Sequence, residues 1–264
     1  MLADLNITLI QADLHWCDPE KNRQALVETF DRIEQSTDLV VLPEMFTTGF
    51  TMAPETYAEP EQGQTLAWMQ AQANRLDAAI VGSLPCQVGS SNDSSYRNRL
   101  WFVRPNAKPD FYDKRHLFSM GSETEHYETG QGRSVVEWRG WNILLTICYD
   151  LRFPVFCRNT GDYDLMLCVA NWPAPRRHPW MSLLTARAIE NQAYVAGVNR
   201  VGTEPSGLSY SGDTMLVDFK GITQAQAEAG SELVLTERLD GAALTRFREK
   251  FNALADADRF DIHW

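Results

Sequence analysis

Cys148 closes an apolar run in the segment LLTICYDLRFPVF, residues 144–156, and Pro154 then opens what reads as a helix. A strand that turns sharply into a helix lifts the corner residue clear of the backbone. It also aims the next N–H, here that of Tyr149, into the same space. The partly positive helix start favours a thiolate, the reactive form of the sulfur. Taken alone, Cys148 is equally a small buried apolar residue, as free cysteines often are. Cys168, inside LMLCVA, is of that second kind. A thiol needs a base, and Glu44 ends the buried run VVLPEMF. An amine, Lys114, follows the aromatic strand end in FYDKRHLF. Each alone is an ordinary loop or surface charge. Together they place an acid, an amine and a sulfur at strand ends, where α/β folds assemble their sites. No histidine stands beside the cysteine, and His116, two residues after Lys114, reads as structural, so a cysteine–histidine pair has little support. The GQG at Gly130 lacks the strand-to-helix context of a phosphate loop, and no CxxC is present to suggest zinc.

The elements that must carry these residues can be read from periodicity. Strands are expected at 6–16, 38–46 and 78–85, with helices at 19–35 and 63–77 between them, a β-α-β-α-β opening. In the first helix Leu26, Phe30 and Ile33 share one face. Residues 98–105 and 109–117 read as a hairpin, and 134–147 as a second one turning at Arg139-Gly140. A strand at 164–172 precedes the strongest helix, 179–192, with Leu183, Leu184, Ala188 and Ile189 in phase. Strands at 193–201, 214–221 and 231–239 close the core. The tail, residues 245–264, is partly helical and then irregular and aromatic, so a neighbouring subunit is one candidate to cover it. The alternation fits two mixed sheets face to face with helices outside, a four-layer α-β-β-α sandwich, and equally a doubly wound sheet.

Bulk properties narrow the function classes. The 264 residues carry a net charge of −11, which repels phosphate backbones and makes nucleic acid an unsuitable partner. A few arginines in a pocket can still hold an anionic small molecule. With 44% hydrophobic and 22% charged residues and no low-complexity linker, one domain over residues 1–264 is expected. The N-terminus alternates apolar and polar residues without a basic leader, and no apolar run approaches a membrane span. The five cysteines, Cys17, Cys86, Cys148, Cys157 and Cys168, are odd in number and widely spaced, which suggests free thiols in a reducing cytoplasm.

With these segments assembled, LPEMFTTGF, YDKRHLF and ICYDLRFP resemble the three signature segments of the nitrilase superfamily of carbon–nitrogen hydrolases. VANWPAPR and ARAIENQAYVAGVNRVG resemble the same family, in its order and over nearly the whole chain. Within it, the sequence looks closest to the omega-amidases, which hydrolyse the distal amide of 2-oxo-dicarboxylic acid monoamides such as 2-oxoglutaramate and 2-oxosuccinamate. The resemblance implies Glu44 as general base, Lys114 as the cationic element and Cys148 as nucleophile, with no cofactor and no metal. It implies a second glutamate in GSETEHYETG. Glu123 fits the family spacing to Tyr127 and Gly130, Glu125 is the fallback, and Glu128 is the remaining candidate. It also implies the α-β-β-α sandwich and homodimers or higher homo-oligomers that extend it.

Under that reading, Cys148 attacks the amide carbon, Lys114 and the Tyr149 N–H hold the developing oxyanion, and Glu44 shuttles the protons through a thioester. A dicarboxylate monoamide needs a cation for its far carboxylate. Arg176, followed by Arg177, is the candidate, equally readable as a surface arginine. Arg152 is a second, expected instead to pair with Asp150. Phe50 and Trp172 are candidate pocket walls. Arg187 and Glu190 are read as supports behind the elbow. The rivals are another amidase, a nitrilase or a carbamoylase of the same family, an inactive binding or scaffold domain, and a redox-sensing thiol protein.

Overall fold

The computed structural model describes residues 2–90 and 93–263. The chain opens as the alternation predicts, with β1 (Leu5–Gln11), α1 (Pro19–Phe30), β2 (Leu39–Val41), α2 (Pro54–Tyr57), β3 (Glu59–Pro60), α3 (Gln64–Leu76) and β4 (Ala79–Ser90). Asp18 caps α1 by accepting from the Lys21 N–H, and Pro19 fits the first turn because its missing N–H has no helical acceptor there. β5 (Asp93–Val103) and β6 (Asp110–Asp113) follow, then the short helix α4 (Glu123–His126). Next come β7 (Ser134–Trp138), β8 (Trp141–Ile147), α5 (Pro154–Cys157), β9 (Leu165–Ala170), α6 (Arg177–Asn191) and β10 (Tyr194–Asn199). β11 (Val201–Thr203), β12 (Ser209–Ser211), β13 (Met215–Val217), β14 (Thr223–Gln226), β15 (Leu233–Leu239) and α7 (Gly241–Lys250) complete the chain.

Two mixed sheets result. The seven-stranded one runs β15-β1-β2-β4-β5-β6, with β3 beside β4, and the six-stranded one runs β14-β13-β10-β9-β8-β7. Period-two patterning decides what each face meets. In the first sheet Leu39, Val41, Ala79 and Val81 join a core shared with Ile143, Leu145, Leu167 and Val195 of the second. Their neighbours Val40, Leu42 and Ile80 point the other way, onto Leu26 and Phe30 of α1 and Met69 and Ala73 of α3. On the far side, Trp180, Leu184 and Ala188 of α6 cover the second sheet. The layering is therefore α-β-β-α, the expected sandwich. β9 is buried along its whole length because both its faces are covered.

Several local expectations change. The strand expected to end at 85 continues to Ser90 and pairs with β5 from Ile80↔Val103 to Ser90↔Asp93. Beyond Pro85 it reads CQVGS, with no clean apolar alternation and a Gly-Ser end, so strand pairing overrode local propensity. The hairpin at 134–147 turns at Arg139 and Gly140, with φ of 50° and 84°, as a two-residue loop between twisted strands requires. In α6, Leu184 and Ala188 are buried, but Ile189 is 53% exposed, so it lies outside the core stripe. α7 begins at Gly241, where Asp240 caps it by accepting from the Ala243 N–H.

Candidate active site

All the site residues but Glu123, which is carried by a short helix, stand at or just past strand ends, and the two sheets bring those ends together. Glu44 lies beyond β2, Lys114 directly follows β6, and Cys148 directly follows β8. Glu123 opens α4, and Asn171 follows β9. The backbone turns hard at two of these corners: φ is 46° at Cys148 and 43° at Met45, next to Glu44. A non-glycine residue in the left-handed region costs about 1–2 kcal/mol, and such strain concentrates at functional corners. Asp150 holds the cysteine corner in shape. It accepts from the Ile147 N–H at 2.9 Å, the Tyr112 hydroxyl at 2.8 Å and the His116 N–H at 3.0 Å, and pairs with His116 Nδ1 at 2.8 Å. From behind, the Arg187 guanidinium donates twice to the Leu151 carbonyl and pairs with Glu190 at 2.8 Å. His116 stacks on Phe153 at 3.7 Å. His116, Arg187 and Glu190 are thus structural, as read from sequence.

The helix start expected after Cys148 is instead one 3-10 segment, Cys148–Arg152, followed by the four-residue α5. Little dipole is available there to favour a thiolate. Burial pushes the Cys148 thiol up, the Glu44 charge adds to this, and Lys114 opposes it. The result lies well above the ordinary thiol range. The thiol is therefore protonated at neutral pH and depends on a base.

Glu44, Lys114 and Glu123 are all buried. Lys114 Nζ lies 2.8 Å from Glu44 Oε1, and 3.0 and 2.9 Å from Glu123 Oε1 and Oε2. Burial disfavours the ammonium, but the Glu123 and Glu44 carboxylates outweigh it and hold Lys114 well above the ordinary lysine value. Burial raises Glu123, and Lys114 counters only part of that. Asn98 Nδ2 donates to both Glu44 Oε1 (2.8 Å) and Glu123 Oε1 (3.1 Å). The Phe118 N–H donates to Glu123 Oε2 at 2.6 Å. On the other side of Glu44, the Asn171 N–H donates to Oε2 at 2.8 Å, and Asn171 Nδ2 donates to the Glu44 carbonyl at 2.6 Å.

These groups adjoin a cavity of about 620 Å³ whose wall includes Lys114, Cys148, Tyr149 and Asn171. Phe50, Trp172 and Arg176 line it too. So does Arg152, which lies over the Trp172 ring at 4.8 Å. The expected pairing of Arg152 with Asp150 does not form, because Asp150 is enclosed by Tyr112, His116 and the elbow backbone. Arg176 lies over Phe118 at 5.4 Å. Neither Arg152 nor Arg176 has a carboxylate partner among the described residues. Arg177 turns away, paired with buried Asp213 at 2.7 Å. Glu125 and Glu128 stay outside the cluster; Glu128 bonds Arg97 at 2.5 Å instead. Sequence reasoning did not single out Asn98 or assign a role to Asn171. Asn98 sits in the polar YRNR stretch, where nothing marks it, while Asn171 lies in the quoted VANWPAPR.

The carbon–nitrogen hydrolase family matches residues 6–249. The chain belongs to that family. It is 49% identical over 264 residues to "Omega-amidase YafV" of Escherichia coli (strain K12), covering 99% of this chain and all of the relative. It is 30% identical over 230 residues to "2-oxoglutaramate amidase" of Bacillus subtilis (strain 168), covering 86% of each chain. Among solved structures, XC1258 from Xanthomonas campestris superposes with a TM-score of 0.93 at 44% identity, over 98% of this chain and 99% of that one. XC1258 is described as a CN-hydrolase superfamily protein with an arsenic adduct in the active site. The resemblance of the signature segments to the nitrilase superfamily and its omega-amidase branch is thereby borne out. As a carbon–nitrogen hydrolase, the protein is an enzyme whose strand ends gather the buried groups described above.

Proposed function

We propose that the protein is an omega-amidase that hydrolyses the terminal amide of 2-oxo-dicarboxylic acid monoamides, releasing the acid and ammonia through a thioester on Cys148. The observation that carries this reading is the cavity wall itself, where a thiol beside a buried Glu-Lys-Glu cluster faces two arginines that have no carboxylate partner among the described residues. The relatives at 49% and 30% identity support the substrate class.

In this mechanism Glu44 removes the Cys148 proton, and the sulfur attacks the amide carbon. The carbonyl oxygen takes the negative charge and is held by Lys114 and the Tyr149 N–H. The C–N bond then breaks, and Glu44 returns the proton to the departing ammonia. Water, deprotonated by the same carboxylate, cleaves the thioester and regenerates the thiol. Splitting the reaction this way replaces one difficult attack by water with two easier steps. Glu123 keeps Lys114 charged and in place. At the far end Arg176 holds the substrate carboxylate, while Trp172 and Phe50 wall the chain between. Arg152 stands as the second cation.

The chain works as one domain in the cytoplasm, as a homodimer whose neighbouring subunit covers the segment after α7, because α7 itself packs on its own sheet through Leu244 and Phe247. Exposed Val155, Ile189, Ile222 and Phe251 support such a contact. The test is ammonia release from purified protein given 2-oxoglutaramate, 2-oxosuccinamate, simple nitriles and carbamoyl amino acids. The two oxo-acid amides should give the highest kcat/KM. Ammonia at the level of buffer from both would refute the substrate assignment, and turnover of nitriles or carbamoyl compounds instead would move the protein elsewhere in the family.

A further inference from the structure

Asn98 is buried against Glu44, and its role here rests on the reading of Glu44 as base. Asn98 lies in β5, and its carbonyl accepts the Lys114 N–H at 3.0 Å, so it is register-locked to the residue that carries the ammonium. Its side-chain nitrogen contacts the same two oxygens, Glu44 Oε1 and Glu123 Oε1, that Lys114 Nζ contacts. Two donors and two acceptors thus form a closed four-membered ring, with one ammonium and one neutral amide between two carboxylates. The amide orientation is dictated by this ring, because turning it over would press a carbonyl oxygen against two carboxylate oxygens. In the orientation adopted, Asn98 Oδ1 is buried and has no hydrogen-bond partner among the described residues. A purely structural asparagine would satisfy both ends. This one leaves its acceptor unsatisfied and spends both amide hydrogens on the site.

We propose that Asn98 is a positioning residue of the hydrolysis, which fixes the Oε1 atoms of Glu44 and Glu123 so that Glu44 Oε2 is left as the oxygen that exchanges the proton. Glu44 Oε1 already has two donors, Lys114 and Asn98, whereas among the described residues Oε2 has only the Asn171 N–H. Donation to a carboxylate also favours its ionised form. The groups facing Asn98 are Glu44 beyond β2, Lys114 after β6, Glu123 on α4 and, through Glu123, the Tyr127 hydroxyl. Cys148 on the second sheet feels the same carboxylates. Without the Asn98 hydrogens Glu123, which burial already raises, holds its proton to still higher pH.

The test uses a readout independent of the substrate, the rate of Cys148 alkylation by iodoacetamide as a function of pH, alongside kcat/KM for 2-oxoglutaramate. Asn98→Leu keeps the volume and removes the donors. Its acid limb should move up by about one pH unit, the size of one lost hydrogen bond to a charge. Alkylation should therefore fall about tenfold on the acid side and much less on the alkaline side. Asn98→Asp keeps the shape and can donate only when protonated, so its deficit should widen as pH rises. If Asn98→Leu does not fold, the isosteric Asn98→Asp carries the test by itself. A rate lowered equally at every pH in both variants, or unchanged in both, would overturn the proposal. Absence of amide hydrolysis in the wild type would refute the substrate reading while leaving the alkylation profiles to decide the role of Asn98.

Discussion

Glu44 is held by unequal hydrogen bonding at its two carboxylate oxygens, and the chemistry at the residue scale follows from that inequality. Oε1 is occupied by an ammonium and an amide, while among the described residues Oε2 has one backbone donor. The cluster also holds two carboxylates against one ammonium, which is costly in a buried site. This gives a prediction for Glu123→Gln. The folded-state value of Glu123 lies above its unfolded one, so the stability it contributes is present below pH about 4.5 and is lost as pH rises through the folded value. The amide variant lacks that loss. Denaturant titrations should show the variant gaining on the wild type as pH rises toward neutrality. Its kcat should fall about 100-fold or more, because Lys114 loses a partner that holds it at the oxyanion. A stability difference between variant and wild type that stays constant across this pH range would contradict this. At the other end of the cavity, Arg176→Gln should raise KM for 2-oxoglutaramate about 10- to 100-fold, the range of a lost charge-assisted hydrogen bond. Its kcat should change little, since that carboxylate is bound equally in substrate and transition state. A fall in kcat at constant KM would place Arg176 elsewhere in the reaction.

At the scale of elements, the site depends on how tightly the strand ends are held. Gly130 donates its N–H to the Lys114 carbonyl at 2.9 Å. A Cβ at Gly130 would come within 2.0 Å of the Asp113 carbonyl oxygen. Gly130→Ala must therefore push the end of β6 that carries Lys114. A cost of about 1–3 kcal/mol in unfolding free energy is expected, with a loss of activity that persists under conditions where the protein is fully folded. Full activity per folded molecule would show that the position of Lys114 tolerates such a shift. This also explains which parts of the structure were legible in the sequence. β1, β2, α1, α3 and α6 carry clean apolar periods, so burial against one face fixed them. The outer half of the β4–β5 hairpin carries none, and β14 is the polar TQAQ; both are held by pairing with neighbours, which composition does not record. Glu44, Lys114, Glu123 and Cys148 were visible because they interrupt apolar runs or match family segments. Asn98 was not, because its importance lies in contacts to Glu44 and Glu123, 54 and 25 residues away.

At the scale of the whole molecule, α6 and α7 leave an apolar margin uncovered. Phe251 is 61% exposed, Ile189 packs against Gly221 beside exposed Ile222, and Gln192 at the end of α6 donates to the Phe251 carbonyl. These contacts place the residues on one side of the second sheet. Apolar side chains left exposed in one region offer a surface for association. Ile189→Asp should convert a dimer into a monomer by size-exclusion chromatography with light scattering, whereas a wild type already monomeric would remove the proposed subunit contact. The same architecture closes one sheet over the other and brings Lys114, bonded to Glu44, of the first sheet and Cys148 of the second to the wall of one cavity. The most direct test is peptide mass spectrometry after rapid acid quenching of the enzyme mixed with 2-oxoglutaramate. A transient acyl group is expected on the peptide containing Cys148, formed as ammonia is released and absent from Cys148→Ala. Ammonia released at the wild-type rate by Cys148→Ala, or the same adduct in that variant, would contradict it.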